Sequence, residues 1–350
     1  MSGGVDSSVA LLEIIKMGYD AIGGTMKLWE YRDVGGNLLE DSNCCSVGAI
    51  NNAKLVCDRM GVPHYTLDFT DVFKKTVVDN FSDEYLKGRT PNPCVRCNSF
   101  VKWKTFIDQA NQLGAKYIAT GHYANIHQSN GSFYLKKGVD PIKDQSYVLW
   151  GIPAHTLSRT LLPLGGYTKK EVRKIARDNE LETADIPESM EICFVADNNY
   201  KRFLKDYVPK KMEAIGKGEI IDESGESLGE HKGYPNYTIG QRKGLGLSNS
   251  EPLYVNQIDP VKNHVFVGKK ESLFENVCSM SRVNWLVNKM DFHTEVEAQI
   301  RYNSPLVPVD IIKNDGEYEI NFQSSQLAIT PGQSIVFYRD DIVLGGGIIE

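Results

Sequence analysis

The apolar residues of this 350-residue chain change their period near residue 200. Before that point, strand-like and helix-like segments alternate. A helix follows the first glycines to about Met17 and stops at Gly18. "YDAIGGTMKL" is strand-like, "AINNAKLVCDRMG" helical, "VPHYTLDF" strand-like and "DVFKKTVVDNFSDEYLKG" helical again. The loop "RTPNPCVRCN" then leads into a helix over "SFVKWKTFIDQANQLG", and "AKYIAT" is a compact apolar strand. This β-α-β-α rhythm predicts an α/β domain with a parallel sheet covered by helices on both faces. Asn130-Gly131 signals a hairpin turn, and "TKKEVRKIARDNE" a further helix. From about Tyr200 onward, short strands and Gly/Pro turns dominate, which predicts small all-β modules with a softer boundary near residue 270.

No stretch approaches the roughly 18 to 20 unbroken apolar residues of a membrane span, and no charged-then-apolar leader opens the chain. A cytosolic protein with no membrane partner is the expectation. Net charge is −6, from 39 basic and 45 acidic residues. That argues against a surface coated in positive charge but leaves room for local phosphate-binding patches. An odd number of cysteines, seven, argues against a structural disulfide framework in such a setting.

The opening string "MSGGVDSSVA" is the first place where chemistry shows. Glycines let backbone N–H groups approach a phosphate, with the dipole of the following helix behind them. Ser2, Ser7 and Ser8 offer hydroxyl donors, and Asp6 is placed to cap the helix or help hold a metal. The string is neither a P-loop, since no Gly-Lys-Ser/Thr follows, nor the dinucleotide G-x-G-x-x-G.

The second place is Cys94-Val95-Arg96-Cys97, a C-x-x-C just ahead of a helix whose N-terminus, with Arg96, would lower a thiol pKa. Cys193 in "MEICFV" marks a loop-to-strand junction. No second C-x-x-C and no histidine spacing supports a structural zinc site. Cys57 and Cys278 read as structural filler, and Cys44-Cys45 as part of a mobile loop. Basic and aromatic clusters form a third signal, weak by itself: "KDQSY", the helix with Lys169, Lys170, Arg173, Lys174 and Arg177, "GQRKGLG" and "RYN" at Arg301. Spread along the chain, they fit a long polyanion laid across the molecule.

"SGGVDSS" resembles the PP-loop of the ATP pyrophosphatase superfamily, which splits ATP between its α and β phosphates. In order along the chain, "MSGGVDSSVA", "RTPNP…CN", "YIATGHYA", "KDQSY", "ICFV", "GQRKGLG" and "TPGQSIVFY…LGGGIIE" together resemble the MnmA/TrmU-type tRNA-specific 2-thiouridylases. The resemblance implies a PP-loop domain over 1–199, a small central tRNA-binding domain over 200–270 and a C-terminal β-barrel over 271–350. It implies ATP- and Mg²⁺-dependent replacement of the C2 oxygen of the wobble uridine by sulfur, in tRNAs for Lys, Glu and Gln. Met1, Ser2, Gly3, Gly4, Val5, Asp6, Ser7, Met26 and Gly121 are the implied ATP site. Asn92, Pro93 and Cys94 would face the flipped-out base. His122, Lys143, Asp144, Gln145, Arg301, Tyr302 and Gln333 match tRNA-contact positions. Cys193 is the implied persulfide carrier and Cys97 the second catalytic cysteine. A cysteine desulfurase, a sulfur-relay protein or free sulfide would supply the sulfur.

Much of the family has an aspartate where this chain has Cys94, so an acid–base role does not carry over to that position. Three thiols, Cys94, Cys97 and Cys193, would suffice to hold a 4Fe–4S cluster with one open iron. That route stands level with the persulfide route. Two other readings rank lower: another PP-loop RNA-modifying or amide-forming enzyme, and a non-catalytic tRNA-binding paralogue. Finally, a phosphate loop of this type normally hangs from a strand. The natural start is therefore expected upstream of Met1, with the sheet edges left exposed and the loop unanchored in its absence.

Overall fold

The computed structural model describes residues 1–29, 47–188, 192–195, 197–248, 251–288, 290 and 294–350. Cys44 and Cys45 lie outside the described residues. The α/β order is present: helix Val5–Lys16, strand β1 (Gly23–Lys27), helix Val47–Arg59 and strand β2 (His64–Asp68). β1 and β2 pair in parallel with Gly23 opposite His64. β3 (Ile118–Ala119) precedes the hairpin of β4 (Ala124–Ser129) and β5 (Ser132–Lys137). Asn130 and Gly131 turn that hairpin with φ of 49° and 77°, the two positive angles a type I′ turn needs. β6 (Thr160–Leu161) then returns to pair with β3 in parallel. Among the described residues the sheet is thus two separate ribbons, and both line one cleft.

The cysteine-bearing helix begins earlier than its apolar spacing predicts. It starts at Pro93 instead of Ser99 and continues through Pro93–Arg96, Cys97–Thr105 and Phe106–Gln112. The cause is local. Asn92 caps it by accepting from Val95 N at 3.3 Å, and Pro93 supplies the preset φ of a first helical position. Cys94 and Cys97 are therefore in the first turns of the helix, not in the loop before it. The middle of this helix is π-wound, with Phe106 N–H reaching back five residues to Val101 O.

Two other expectations need correction. Residues 192–195 form a turn closed by Val195 N to Ile192 O at 2.8 Å, so no strand begins at Cys193. The chain after Tyr200 opens with two helices, Tyr200–Tyr207 and Pro209–Ile215. Their apolar residues Tyr200, Phe203, Leu204 and Tyr207 recur at helical spacing and pack on Phe73, Phe81 and Phe194 of the preceding α/β region. The join near residue 200 is a packed one.

A four-stranded sheet follows, ordered β8 (Ser227–His231), β7 (Gly218–Ile221), β10 (His264–Gly268) and β9 (Tyr254–Asp259). The last part is a closed antiparallel barrel of six strands. These are β11 (Phe274–Trp285), β12 (Glu297–Gln299), β13 (Val307–Asn314), β14 (Glu317–Leu327), β15 (Ser334–Arg339) and β16 (Ile342–Ile349). Pairing runs β11-β14-β13-β12-β15-β16 and closes from β16 back to β11. The β4–β5 hairpin extends the barrel through a single pair, Lys136 opposite Ile342.

The barrel shares a core with the α/β region. Trp103, Tyr147, Leu149 and Trp150 pack in one cluster with Leu286, Val336, Tyr338 and Val343. Across this seam Asn284 Nδ2 donates to Trp150 O at 2.7 Å and Ile152 O at 3.0 Å, and Tyr147 OH donates to Ser334 O at 2.8 Å. Asn284→Ala leaves two carbonyls without that donor, so we expect a loss of about 1–3 kcal/mol. Urea unfolding should show a lower midpoint at an unchanged slope.

Candidate active site

The opening loop forms one wall of a cleft of about 1150 Å³, which Met1, Ser2, Asp6, Ser7, Met26, Gly121 and His122 all line. The loop is anchored from several sides. The Met1 amino group donates to Gly24 O, and Gly3, at φ +73°, sits so close to Ala49 that a Cβ would meet its carbonyl oxygen at 2.2 Å. Gly121 closes over the start of the helix, where a Cβ would lie 2.8 Å from the Asp6 carbonyl carbon.

Inside the loop the roles divide. Ser2 N donates to Ser7 Oγ at 3.1 Å, and the two hydroxyls are 3.2 Å apart at the cleft. Ser8 is fully buried and donates to Gly4 O at 3.0 Å, so it faces the protein and not the cleft. Gly4 occupies the cap position without a side-chain cap hydrogen bond, so Asp6 is not the helix cap. Its carboxylate accepts from Lys169 Nζ at 2.7 and 2.9 Å and from Tyr123 OH at 2.7 Å.

His122, expected at a tRNA contact, is part of the cleft wall. Its Nε2 lies 3.4 Å from Lys102 Nζ, and its Nδ1 2.7 Å from Thr120 Oγ1. An ammonium has only protons to give, so Nε2 accepts and Nδ1–H donates to Thr120. Burial of the ring, with the Lys102 charge beside it, holds the imidazole well below its ordinary range. Lys102 itself brings a cation to the same cleft. Sequence reasoning missed it; its signal was its place on the helix that carries Cys97.

Cys97 and Cys193 are half-buried and pack against the same aromatic cluster of Phe73, Phe81, Phe194 and Phe203, which Met26 also touches. Cys94 is exposed. Burial, and after it the charges of Asp144, Asp140 and Cys94, raise the phenol of Tyr302 in the barrel. Beside Tyr302 is a second cavity of about 510 Å³, lined by Asp144, Tyr147, Gln299 and Asn303. Among the described residues no three His, Cys, Asp or Glu side chains are gathered closely enough to hold a metal ion. The three-cysteine ligand set is thus not assembled. Arg96, expected to stand near the thiols, donates Nε to Thr76 O at 2.8 Å and stacks on Phe100. Burial pushes the Cys57 thiol up and the Cys278 thiol to about 12, as inert filler requires.

The other implied contacts hold the site together. Gln333 Nε2 donates to Thr90 O at 2.9 Å and Pro91 O at 3.3 Å, fixing the chain just before Asn92 and Pro93. Arg301 donates to Leu327 O at 2.7 Å. Asp144 accepts from Gly138 N and Ser146 Oγ, Gln145 accepts from Tyr123 N at 3.0 Å, and Lys143 pairs with Glu188 at 2.6 Å. The basic helix has two sides: Lys169 and Arg173 point inward to Asp6 and Glu188, whereas Lys174 and Arg177 are exposed and pair with Asp178 and Asp185.

An imidazole kept neutral in the fold binds fewer protons than it does unfolded, so His122 lowers stability as pH falls below about 6.5. We expect His122→Gln to flatten that decline by up to about 1.4 kcal/mol per pH unit. Urea unfolding near pH 7.5 and 5.5 checks it.

Comparisons with known proteins agree along the whole chain. Residues 1–197 match the family model described as tRNA methyl transferase HUP domain. Residues 201–269 match the tRNA methyl transferase PRC-barrel domain, and 275–349 the aminomethyltransferase beta-barrel domain. The chain is 46% identical to the tRNA-specific 2-thiouridylase MnmA of Carboxydothermus hydrogenoformans, over all of this chain and 96% of that protein. It is 46% identical to MnmA of Halothermothrix orenii, over all of this chain and 97% of the relative. With MnmA 1 of Clostridium botulinum (strain Loch Maree / Type A3) it shares 43% identity, over all of this chain and 98% of the relative. A PP-loop cleft, two thiols on one aromatic cluster and a docked barrel thus occur in a chain that belongs to the MnmA family of tRNA-specific 2-thiouridylases.

Proposed function

We propose that this chain uses ATP to replace the C2 oxygen of the wobble uridine of tRNA by sulfur. The observation that carries the reading is one juxtaposition. The cleft behind the phosphate loop and the two half-buried thiols, Cys97 and Cys193, share the aromatic cluster that Met26 joins. An amide-forming synthetase has no use for those thiols. A methyl transferase, the word in two of the matching family descriptions, has no use for a pyrophosphate-gripping loop.

The C2 oxygen of uracil leaves poorly, so it must be activated. It attacks the α phosphorus of ATP and pyrophosphate departs, received by the N–H groups and hydroxyls around Ser2 and Ser7. Lys102 faces the same space and offsets the negative charge of the adenylate. Magnesium accompanying ATP fits a site with one protein carboxylate, Asp6, and phosphate oxygens for the rest, and it neutralises phosphate charge when bound.

Sulfur arrives on Cys193 as a persulfide from a donor protein. The Cys97 thiolate attacks Cys193 Sγ, forming a Cys97–Cys193 disulfide and expelling hydrosulfide. Hydrosulfide adds to C2, AMP leaves with the former C2 oxygen, and a thiol reductant restores the two cysteines. The 4Fe–4S route fits less well, because the three thiols do not form a ligand set; no step is drawn through it. Tyr302 borders the 510 Å³ cavity, a suitable place for RNA to lie. A tRNA substrate supports the expectation of a cytosolic protein.

The test incubates protein, Mg-ATP, a persulfide donor and unmodified tRNA, then looks for retarded migration on a mercury-containing gel. Cys97→Ser and Cys193→Ser should fall to background. Cys94→Ala should cost less than tenfold, about 1.4 kcal/mol of transition-state stabilisation. An inactive Cys94→Ala, together with absorption near 400 nm after anaerobic iron–sulfide reconstitution, would favour the cluster instead.

A further inference from the structure

Glu188 belongs to none of the motifs singled out in the sequence, yet it joins two of them. One carboxylate oxygen, Oε2, accepts from Lys143 Nζ at 2.6 Å. The other, Oε1, lies 3.2 Å from Lys169 Nζ and 3.7 Å from Arg173 Nη2. Lys169 in turn holds both oxygens of Asp6, in the phosphate loop. The result is one line of alternating charge, Lys143–Glu188–Lys169–Asp6. One end lies in the KDQ loop and the other in the ATP cleft.

The line is built into rigid surroundings. Asp140 accepts from Lys169 N at 2.9 Å and from Ile142 N and Lys143 N, so the KDQ loop and the start of helix Lys169–Asp178 are tied together. Tyr123 OH holds Asp6 from the other side at 2.7 Å. The Lys169 side chain is only 11% exposed, against 29% for Lys143. Lys143 is thus the member open to an outside anion, and Lys169 the enclosed one.

We propose that Glu188 and Lys169 are positioning residues through which RNA at Lys143 acts on Asp6. This rests on the reading that the loop takes ATP and that Lys143 meets tRNA. An RNA phosphate that draws Lys143 away leaves the Glu188 charge to Lys169 and Arg173. Lys169 then moves toward Glu188 and relaxes its hold on Asp6, and the freed carboxylate serves the cation that accompanies ATP. No bond is made or broken; the ammonium only changes partner. Binding of tRNA therefore tightens binding of Mg-ATP, and ATP tightens tRNA by the same factor. ATP is spent mainly when its acceptor is present.

Equilibrium dialysis with an α,β-methylene ATP analogue and Mg²⁺, without and with saturating unmodified tRNA-Glu transcript, measures the factor. The wild-type chain should bind the analogue at least about fivefold more tightly with tRNA. In Glu188→Gln the ratio should collapse toward one. Lys143→Gln, at a partly exposed position, keeps the test valid if Glu188→Gln folds poorly and should do the same at saturating tRNA. The double variant should lose no more than either single one. A wild-type ratio near one, or a wild-type ratio retained in Glu188→Gln, overturns the proposal. Failure of the wild-type chain to bind the analogue or the tRNA at all would overturn the underlying assignment of function instead.

Discussion

The Asn92 cap decides where the chemistry of this molecule can happen. By accepting from Val95 N–H, and with Pro93 behind it, Asn92 starts the helix early enough to carry Cys94 and Cys97 in its first turns. The same helix then delivers Asn98 to Val148 O, Lys102 to the cleft, and Trp103 to the shared core, where its indole N–H donates to Thr160 at 2.8 Å. The barrel secures the cap from outside, because Gln333 grips Thr90 and Pro91 and Thr90 N donates to Pro331 O at 2.8 Å. A site assembled this way is only as well placed as the seam between barrel and α/β region, which explains the large aromatic core there.

The phosphate loop depends on a different kind of support. Its backbone is set by close packing at Gly3 and Gly121, where no side chain fits. Its one acidic residue is held by a lysine and a tyrosine from elsewhere in the chain. Packing fixes the loop's shape, and charge fixes what Asp6 is free to do. Shape suits phosphates in every state of the enzyme, whereas a charge pair can change partner when a ligand arrives.

Much of this was legible in the sequence wherever the signal was local. The glycine loop, the Asn130-Gly131 hairpin and the strands of the last eighty or so residues follow from turn chemistry and apolar period. The early start at Pro93 was legible too, since Asn-Pro is a strong helix-start signal, but a C-x-x-C invites reading as a loop. The helix at Tyr200 was hidden by the Gly-rich strands after it, although Tyr200, Phe203, Leu204 and Tyr207 carry its period. The basic residues of helix Lys169–Asp178 show the real limit. Their partners, Asp6 and Glu188, are far away in sequence or separated by loop, so a run of charge cannot say whether it faces solvent or an internal anion. Likewise the implied RNA contacts Gln145 and Gln333 are engaged within the protein, a fact that only the assembled fold contains.

The central claim is that Cys97 and Cys193 act as one sulfur-releasing pair beside the ATP cleft. Its most direct test is a single turnover with persulfide-loaded protein, Mg-ATP and unmodified tRNA, without added reductant, followed by alkylation and peptide mass spectrometry. The account predicts a Cys97–Cys193 disulfide appearing in step with 2-thiouridine, one for one, and dependent on ATP. Thiouridine formed while both cysteines remain alkylatable, or a disulfide that instead contains Cys94, would contradict it.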